Sequence, residues 1–466
     1  MVIIGEASMS AGSEGKAEHL FRMFVLCAAV FACSGEERAS RLLEPQLSRT
    51  RNEVRTSAVD VMATWNVIAL KTTLGGPFSP PRETRSLAIV SASVYDAVCS
   101  ITRECEPYGT RVKTSRDASV DAAVDAAAHD VLIALYPGAA ASLNTSYDSA
   151  LAALTPGRSR DKGQAVGQTA AAATLAMRAQ DHASDVVVYT PITGMGHWAP
   201  TPPAFASALE PGWPNVTPFL LASGDEFRPA PPPSPGSDAY VRDYLEIVSI
   251  GARDSVTRTA LQTETARFWV ATAPQNWNQV VRQITLESGM DAASAARAYL
   301  LLNLAGADAI IAAWDAKFHY GQWRPVAAIR SQADDGSAAT FADATWTPLL
   351  GTPPFPDYPA GHTTYGGAAL QVLNTLFGDR HGLLSITSPA NGVTHHYGSF
   401  AEIASEVENA RVWGGIHWRT SVTEGTALGH RVAEADLARA FARLRVRGHC
   451  VRQSGAVRRS GERDRD

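Results

Sequence analysis

The stretch AASAARAYLLLNLAGADAIIAAWDAKFHYGQWRP, residues 292–325, decides the fold. From Ala292 to Lys317 it is built largely of Ala, Leu and Ile, with apolar residues recurring at three and four, the period of an α-helix. Stretches of the same character run over Val120–Tyr136, Gly163–Ala183 and Glu402–Arg411, and alternating strand-like runs are scarce. The expected fold class is all-α: helical bundles forming two packed halves, with long Pro-rich connections.

The longest connection spans Tyr189 to Pro235 and includes the run Pro231-Pro232-Pro233, which forbids continuous helix. Trp198, Trp213 and Phe219 lie within it, so it is expected to pack down as a wrap, since a free linker would not carry such residues. It divides an N-terminal helical half, 57–235, from a C-terminal half, 236–442, in which the reactive residues are expected.

Outside these halves the chain changes character. Arg22 precedes an apolar run, Met23 to Ala32, too short to span a bilayer but suited to an export signal. Val30-Phe31-Ala32-Cys33 resembles a bacterial lipobox, which would put a lipid anchor on Cys33 and the protein in the periplasm or on the outer cell surface. The expected divisions are a leader at 1–33, a polar linker at 34–56 and a frayed basic tail at 443–466. No later segment has the run of apolar residues that a membrane helix needs. Cys99 and Cys105 could form a disulfide or remain a pair of buried thiols. With 466 residues, 45% of them hydrophobic, the chain can bury a large core, and its net charge of -5 gives no electrostatic case for nucleic acid. Small-molecule chemistry is the expectation.

Three segments carry that chemistry. In the first, Lys317 and Arg324 are seven apart, close to two helical turns, and would share a face if the helix ran through Gly321. Pro325 interrupts it, and helix can resume behind. The second, Pro353-Pro354-Phe355-Pro356-Asp357-Tyr358-Pro359-Ala360-Gly361-His362, opens a helix from Thr363, so an anion there would meet unpaired amides and the positive end of a helix dipole. Gly361 allows close approach, and His362 is placed to give or take a proton. In the third, Arg411 and His417 would lie about 240° apart on an unbroken helix. They converge only if the chain turns, and Gly414-Gly415 supplies that freedom. His395-His396 lack such partners and read as a structural or surface pair.

In order and spacing the three segments resemble the signature shared by vanadium-dependent haloperoxidases and type 2 phosphatidic acid phosphatases: Lys-x6-Arg-Pro, Pro-Ser-Gly-His, and Ser-Arg-x5-His. Trp65-Asn66, Ser93-Val94-Tyr95-Asp96-Ala97, Gly224 to Pro229 and Trp277-Asn278 extend the likeness to the bacterial exported haloperoxidase-like branch, from about Val61 to Ala440. The resemblance implies a chloroperoxidase-like helical fold and a bound vanadate with His417 as its metal ligand. Lys317, Arg324 and Arg411 would neutralise its oxygens, the Gly361 amide would donate to it, and His362 would handle protons. Trp314 and Phe355 would line the halide pocket. The substrates would be hydrogen peroxide and a halide, and the product hypohalous acid.

The sequence also departs from the pattern. Ala360 replaces the usual Ser, which removes a hydroxyl worth on the order of 1 to 3 kcal/mol to a buried oxyanion, and Ala410 replaces the Ser before Arg411. Ser421 stands where the phosphatases place an Asp to orient the reactive histidine. That weakens, without removing, the alternative of a metal-free phosphatase acting on a phosphate ester through a phosphohistidine. A non-catalytic oxyanion-binding protein is the third alternative, and it would lose no activity in His362→Ala.

Overall fold

A computed structural model describes residues 57–75, 79–331, 335–378 and 382–443, and they form an α protein. The expected leader, Cys33, the linker and the tail beyond Arg443 lie outside the described residues. The first half carries α1 (Ala58–Gly75), α2 (Pro80–Thr102), α3 (Val120–Leu135), α4 (Ala140–Ala152) and α5 (Arg158–Met177). The second carries α6 (Asp238–Ile250), α7 (Ala260–Phe268), α8 (Ala273–Glu287), α9 (Ala292–Tyr320), α10 (Pro325–Arg330), α11 (Gly361–Phe377), α12 (Phe400–Trp413) and α13 (Arg419–Arg443). Between α11 and α12 lies an antiparallel hairpin, β1 (Leu384–Thr387) and β2 (Thr394–Tyr397), with Leu384 opposite Tyr397.

Several helices begin at a residue able to satisfy their orphan amides. Ser79, Ser119, Ser237, Asp291 and Ser399 each accept a first-turn N–H, and Thr259 with Gln262 forms a reciprocal capping box. The helix expected over Gly163–Ala183 is displaced toward the N-terminus and stops at Met177. Beyond it Arg178 turns inward to bond Asp181 and the carbonyls of Thr217 and Pro218.

The central helix is α9, packed against α2, α11 and α13. Its length and apolarity would suit a membrane span, but its faces are covered by those neighbours. Leu300, Leu302, Leu304 and Ile311 are fully buried, each contributing about 1.5 to 3 kcal/mol relative to exposure. Cys99 and Cys105 are joined in a disulfide at the end of α2.

The Pro-rich stretch packs as a wrap, with Trp198 and Trp213 each 1% exposed. Its partners lie mostly on α9. Asp308 accepts the amides of Phe219, Leu220 and Leu221, Asp315 holds Arg228 at two points, and Tyr320 donates to the Pro229 carbonyl. Farther along, Trp198 N–H donates to the Gly321 carbonyl and Leu209 N–H to the Pro354 carbonyl. The wrap therefore closes over the end of α9 and the 353–360 loop, where two of the three segments lie.

Candidate functional site

Lys317 and Arg324 meet, but not on one continuous helix. α9 stops at Tyr320, Gly321 takes a left-handed conformation (φ 60°), and Arg324 is the residue that precedes α10. The expectation of one shared helix face is corrected: a turn swings Arg324 back beside Lys317. Arg411 and His417 converge as expected, through a turn in which Gly415 has φ 75°. Gly361 and His362 form the first turn of α11.

Five side chains from these segments thus surround one point. Lys317 and Arg324 have no exposed surface, Arg411 is 3% exposed and His417 is 2% exposed. They feel one another electrostatically. Burial, reinforced by Arg324, Lys317 and Arg411, drives the His417 pKa well below the usual imidazole range, so its ring is neutral and one nitrogen keeps a lone pair. Burial and Arg411 do the same to His362. The two guanidiniums are pushed down, to about 10 for Arg324 and about 9 for Arg411, first by burial and, for Arg411, also by the Arg324 charge. Both remain charged at neutral pH.

Their hydrogen bonds separate the roles. Lys317 Nζ donates to the carbonyls of Pro356, Asp357 and Pro359 at 3.1, 2.8 and 2.5 Å. Those three acceptors use every proton of an ammonium, so Lys317 contributes its charge and a clamp on the 356–359 loop. Burial and Arg324 pull its pKa down, but the three carbonyls require the charged form. Arg324 Nε donates to the Phe355 carbonyl and Nη1 to the Ile416 carbonyl, whereas its Nη2 is buried with no partner. Arg411 Nη1 donates to the Trp269 carbonyl, and its Nε is likewise buried without a partner. His362 Nε2 lies 2.9 Å from the Ala271 carbonyl.

The amide end of α11 adds to this. Ala360 precedes the helix with no side-chain bond to the first turn, which leaves those amides to an anion. A Cβ at Gly361 would come within 3.3 Å of the Trp314 ring, so the position favours glycine. Trp314 and Phe355 stack obliquely, centroids 4.9 Å apart, and Lys317 and Arg324 both lie over Phe355. The two aromatics belong to the core and also wall the cation cluster.

Sequence reasoning missed two features. Asp357, inside the proline-rich approach, is fully buried with Oδ1 3.0 Å from His417 Nδ1 and 3.3 Å from Arg324 Nη1. Burial raises its pKa to about 6, opposed by the Arg324 and Lys317 charges. Ser421, at the position noted for its missing acid, donates to the Asp357 carbonyl. Nothing in residue spacing marked Asp357, because it reaches His417 only when the loop folds across α9.

The second feature is a brace. His395 meets Glu406 through Nδ1 at 2.8 Å and Glu264 through Nε2 at 2.9 Å, and stacks on Phe268. Glu406 also accepts from Trp269 Nε1 and from the Tyr397 hydroxyl. The brace fixes residues 268–271, whose carbonyls hold Arg411 and His362. His396 is exposed and bonds Ser385.

The donor set suits an oxyanion. Two guanidinium nitrogens without partners, a helix amide end and two neutral imidazoles match a tetrahedral or bipyramidal anion better than a bare cation. Among the described residues no cluster of three or more His, Cys, Asp or Glu could hold a metal ion.

Comparison with known proteins gives the same picture. Residues 297–445 match the family model described as the VCPO second helical-bundle domain. The chain is 25% identical over 476 residues to the vanadium chloroperoxidase of Curvularia inaequalis, covering 76% of this chain and 78% of that protein. It superposes on the crystal structure of the first bacterial vanadium-dependent iodoperoxidase with a TM-score of 0.73 at 23% identity, covering 82% of this chain and 96% of the other. A holo-type bacterial vanadium-dependent chloroperoxidase gives 0.62 at 16% identity, over 79% and 93%. The all-α fold and the resemblance to vanadium haloperoxidases read from the three segments are borne out.

Proposed function

We propose that this chain is a vanadate-dependent haloperoxidase, oxidising a halide with hydrogen peroxide so that H2O2, X− and H+ give HOX and H2O. The observation that carries the reading is the pair of buried, partnerless guanidinium nitrogens, on Arg324 and Arg411, beside neutral His417 at the amide end of α11. Vanadate, when bound, would supply a Lewis acid that polarises peroxide toward attack by halide.

The chain's own residues hold and protonate. His417 offers an imidazole lone pair as ligand, Arg324 and Arg411 direct N–H groups at the anion, and Lys317 adds charge while fixing the loop that leads to Gly361. With its Nε2 proton on the Ala271 carbonyl, His362 keeps the lone pair at Nδ1 and can take the proton that peroxide must lose and return it to the departing oxygen. Trp314 and Phe355 exclude water from the cation side, which strengthens each charge–anion contact.

One observation favours a second reading, phosphate monoester hydrolysis by attack of His417 on phosphorus: Asp357 stands 3.0 Å from His417 Nδ1, supplying an acid that Ser421 does not. The test is apo-protein in phosphate-free buffer, assayed for bromide, chloride and iodide oxidation with and without orthovanadate, alongside hydrolysis of a chromogenic phosphate ester. Vanadate-dependent halogenation lost in His417→Ala supports the first reading. Ester hydrolysis inhibited by vanadate, with no halogenation, replaces it with the second. We further propose export, supported by the Cys99–Cys105 disulfide, a bond that persists in oxidising compartments.

A further inference from the structure

We infer that Asp357 is a positioning residue for His417, its carboxylate accepting the Nδ1 proton and so keeping the Nε2 lone pair for the bound anion. The inference rests on the oxyanion reading above and assigns a residue that the motif resemblance does not include.

An imidazole serves as a ligand at one nitrogen only if the proton is kept on the other, and the partner of that other nitrogen sets the tautomer. Arg324 cannot make the choice: its Nη1 is 3.2 Å from Nε2 and 3.4 Å from Nδ1 of His417, over both nitrogens, and it only donates. Asp357 can, because it brings two groups that only accept: its carboxylate Oδ1 stands 3.0 Å from Nδ1, and its main-chain carbonyl accepts a hydrogen bond from the His417 ring.

A fully buried carboxylate is also costly here, since it offsets one of the cations on which anion affinity depends. Its Oδ2 has no partner, so the residue is not simply saturated by neighbouring donors. The surrounding loop is nonetheless fixed around it. Lys317 holds the carbonyls on both sides, Ser421 holds its own carbonyl, and its N–H donates to the Gln322 carbonyl. Those bonds fix the Asp357 main chain, and the contacts at 3.3 Å to Arg324 and 3.0 Å to His417 place its carboxylate.

A competing account is that Asp357 only neutralises Arg324 and Lys317. The two accounts part in the variants. Asp357→Asn keeps an oxygen, held toward Arg324 and Nδ1 by both donors, and loses the charge, whereas Asp357→Ala loses both.

The tautomer is read by 15N–1H NMR of the His417 ring in anion-free protein, and affinity by titration with orthovanadate and, separately, inorganic phosphate. We expect a single Nδ1–H tautomer in the wild type and in Asp357→Asn. In Asp357→Ala we expect loss of that tautomer and a vanadate Kd raised about 10- to 100-fold, with phosphate binding equal or tighter because a negative charge has gone. An unchanged tautomer and vanadate Kd in Asp357→Ala would overturn the inference and give the proton to the Asp357 main-chain carbonyl, which also faces the ring. Asn and Ala variants that both bind vanadate and phosphate more tightly would likewise overturn it, in favour of neutralisation alone. If the Ala variant does not fold, Asp357→Asn decides, and a shift to Nε2–H overturns the inference. Absence of vanadate binding in the wild type would sink the functional reading instead, and the tautomer measurement would still judge Asp357.

Discussion

Gly425→Ala tests how tightly the packing of α13 on α11 holds the anion-binding turn. A Cβ at position 425 would fall 2.2 Å from Thr363 Oγ1, 2.7 Å from the Ala360 carbonyl oxygen and 3.2 Å from Thr364 Oγ1. None of these atoms is free to yield. Thr363 Oγ1 donates to the Val422 carbonyl at 2.8 Å in a fully buried position, and the Ala360 carbonyl accepts from the Thr364 amide and the Thr364 hydroxyl. Turning Thr363 away strands a buried polar atom, at about 1 to 3 kcal/mol, and displacing the Ala360 carbonyl adds an overpacking cost of about 1 to 3 kcal/mol. The gain in helix propensity from Gly to Ala offsets about 1 kcal/mol. The net loss is therefore about 1 to 5 kcal/mol, which for a folded body of this size lowers Tm by about 1 to 6 °C.

The same displacement moves the first turn of α11, so phosphate or vanadate affinity should fall together with Tm. Thermal denaturation and anion titration measure the two. Adding Thr363→Ala removes the nearest clash, so the double variant should recover part of the loss, and the coupling between the two sites should be favourable. A Gly425→Ala protein with wild-type or higher Tm and unchanged anion affinity would refute the claim that contact between these helices sets the turn.

Three further outcomes are expected. Ala360→Ser restores a hydroxyl at a position with cap geometry (φ -72°, ψ 122°), so it should raise apo-protein Tm through about 0.5 to 2 kcal/mol of capping and tighten vanadate binding about tenfold, read by melting and titration. His395 is doubly bonded to carboxylates. Burial works against its charge, yet the bonds to Glu406 and Glu264 raise its pKa above the usual imidazole value. Its contribution to stability should therefore be complete below about pH 6.5 and be lost as pH rises through the raised folded-state pKa. The Tm gap between wild type and His395→Gln should accordingly be widest in mild acid and narrow in alkali, and a gap that widens toward alkali would contradict the brace. Cys99→Ser with Cys105→Ser opens a short loop and should cost about 2 kcal/mol, a drop in Tm that reductant reproduces in the wild type but not in the double variant.

The parts of the site that lie on one local segment were legible in the sequence. Gly361 and His362 at a helix start and the turn at Gly414-Gly415 follow from helix capping and backbone freedom, which act over a few residues, whereas the grouping of Lys317, Arg324, Arg411 and His417 came from the resemblance of the three segments to a known signature. The same logic misplaced the route from Lys317 to Arg324, because periodicity alone does not say that Gly321 will turn left-handed and end α9. It also left His395 as a surface or structural residue, since Glu264 and Glu406 reach it from α7 and α12 and no spacing within β2 records them.

By itself, then, the sequence determined that this is an α protein with a Pro-rich wrap and three anion-directed segments, because helix propensity, caps and proline are local properties of the chain. Only the tertiary structure decided how the donors are divided. It turned the three protons of Lys317 onto loop carbonyls, left one nitrogen each of Arg324 and Arg411 without a partner, and brought Asp357 to His417. The Lys317, Arg324 and Asp357 contacts depend on the loop over residues 353–360 lying across the end of α9 and against residues 416–421, and the Arg411 contact depends on residues 268–271. That arrangement is set by packing between segments distant in sequence, so no single segment encodes it.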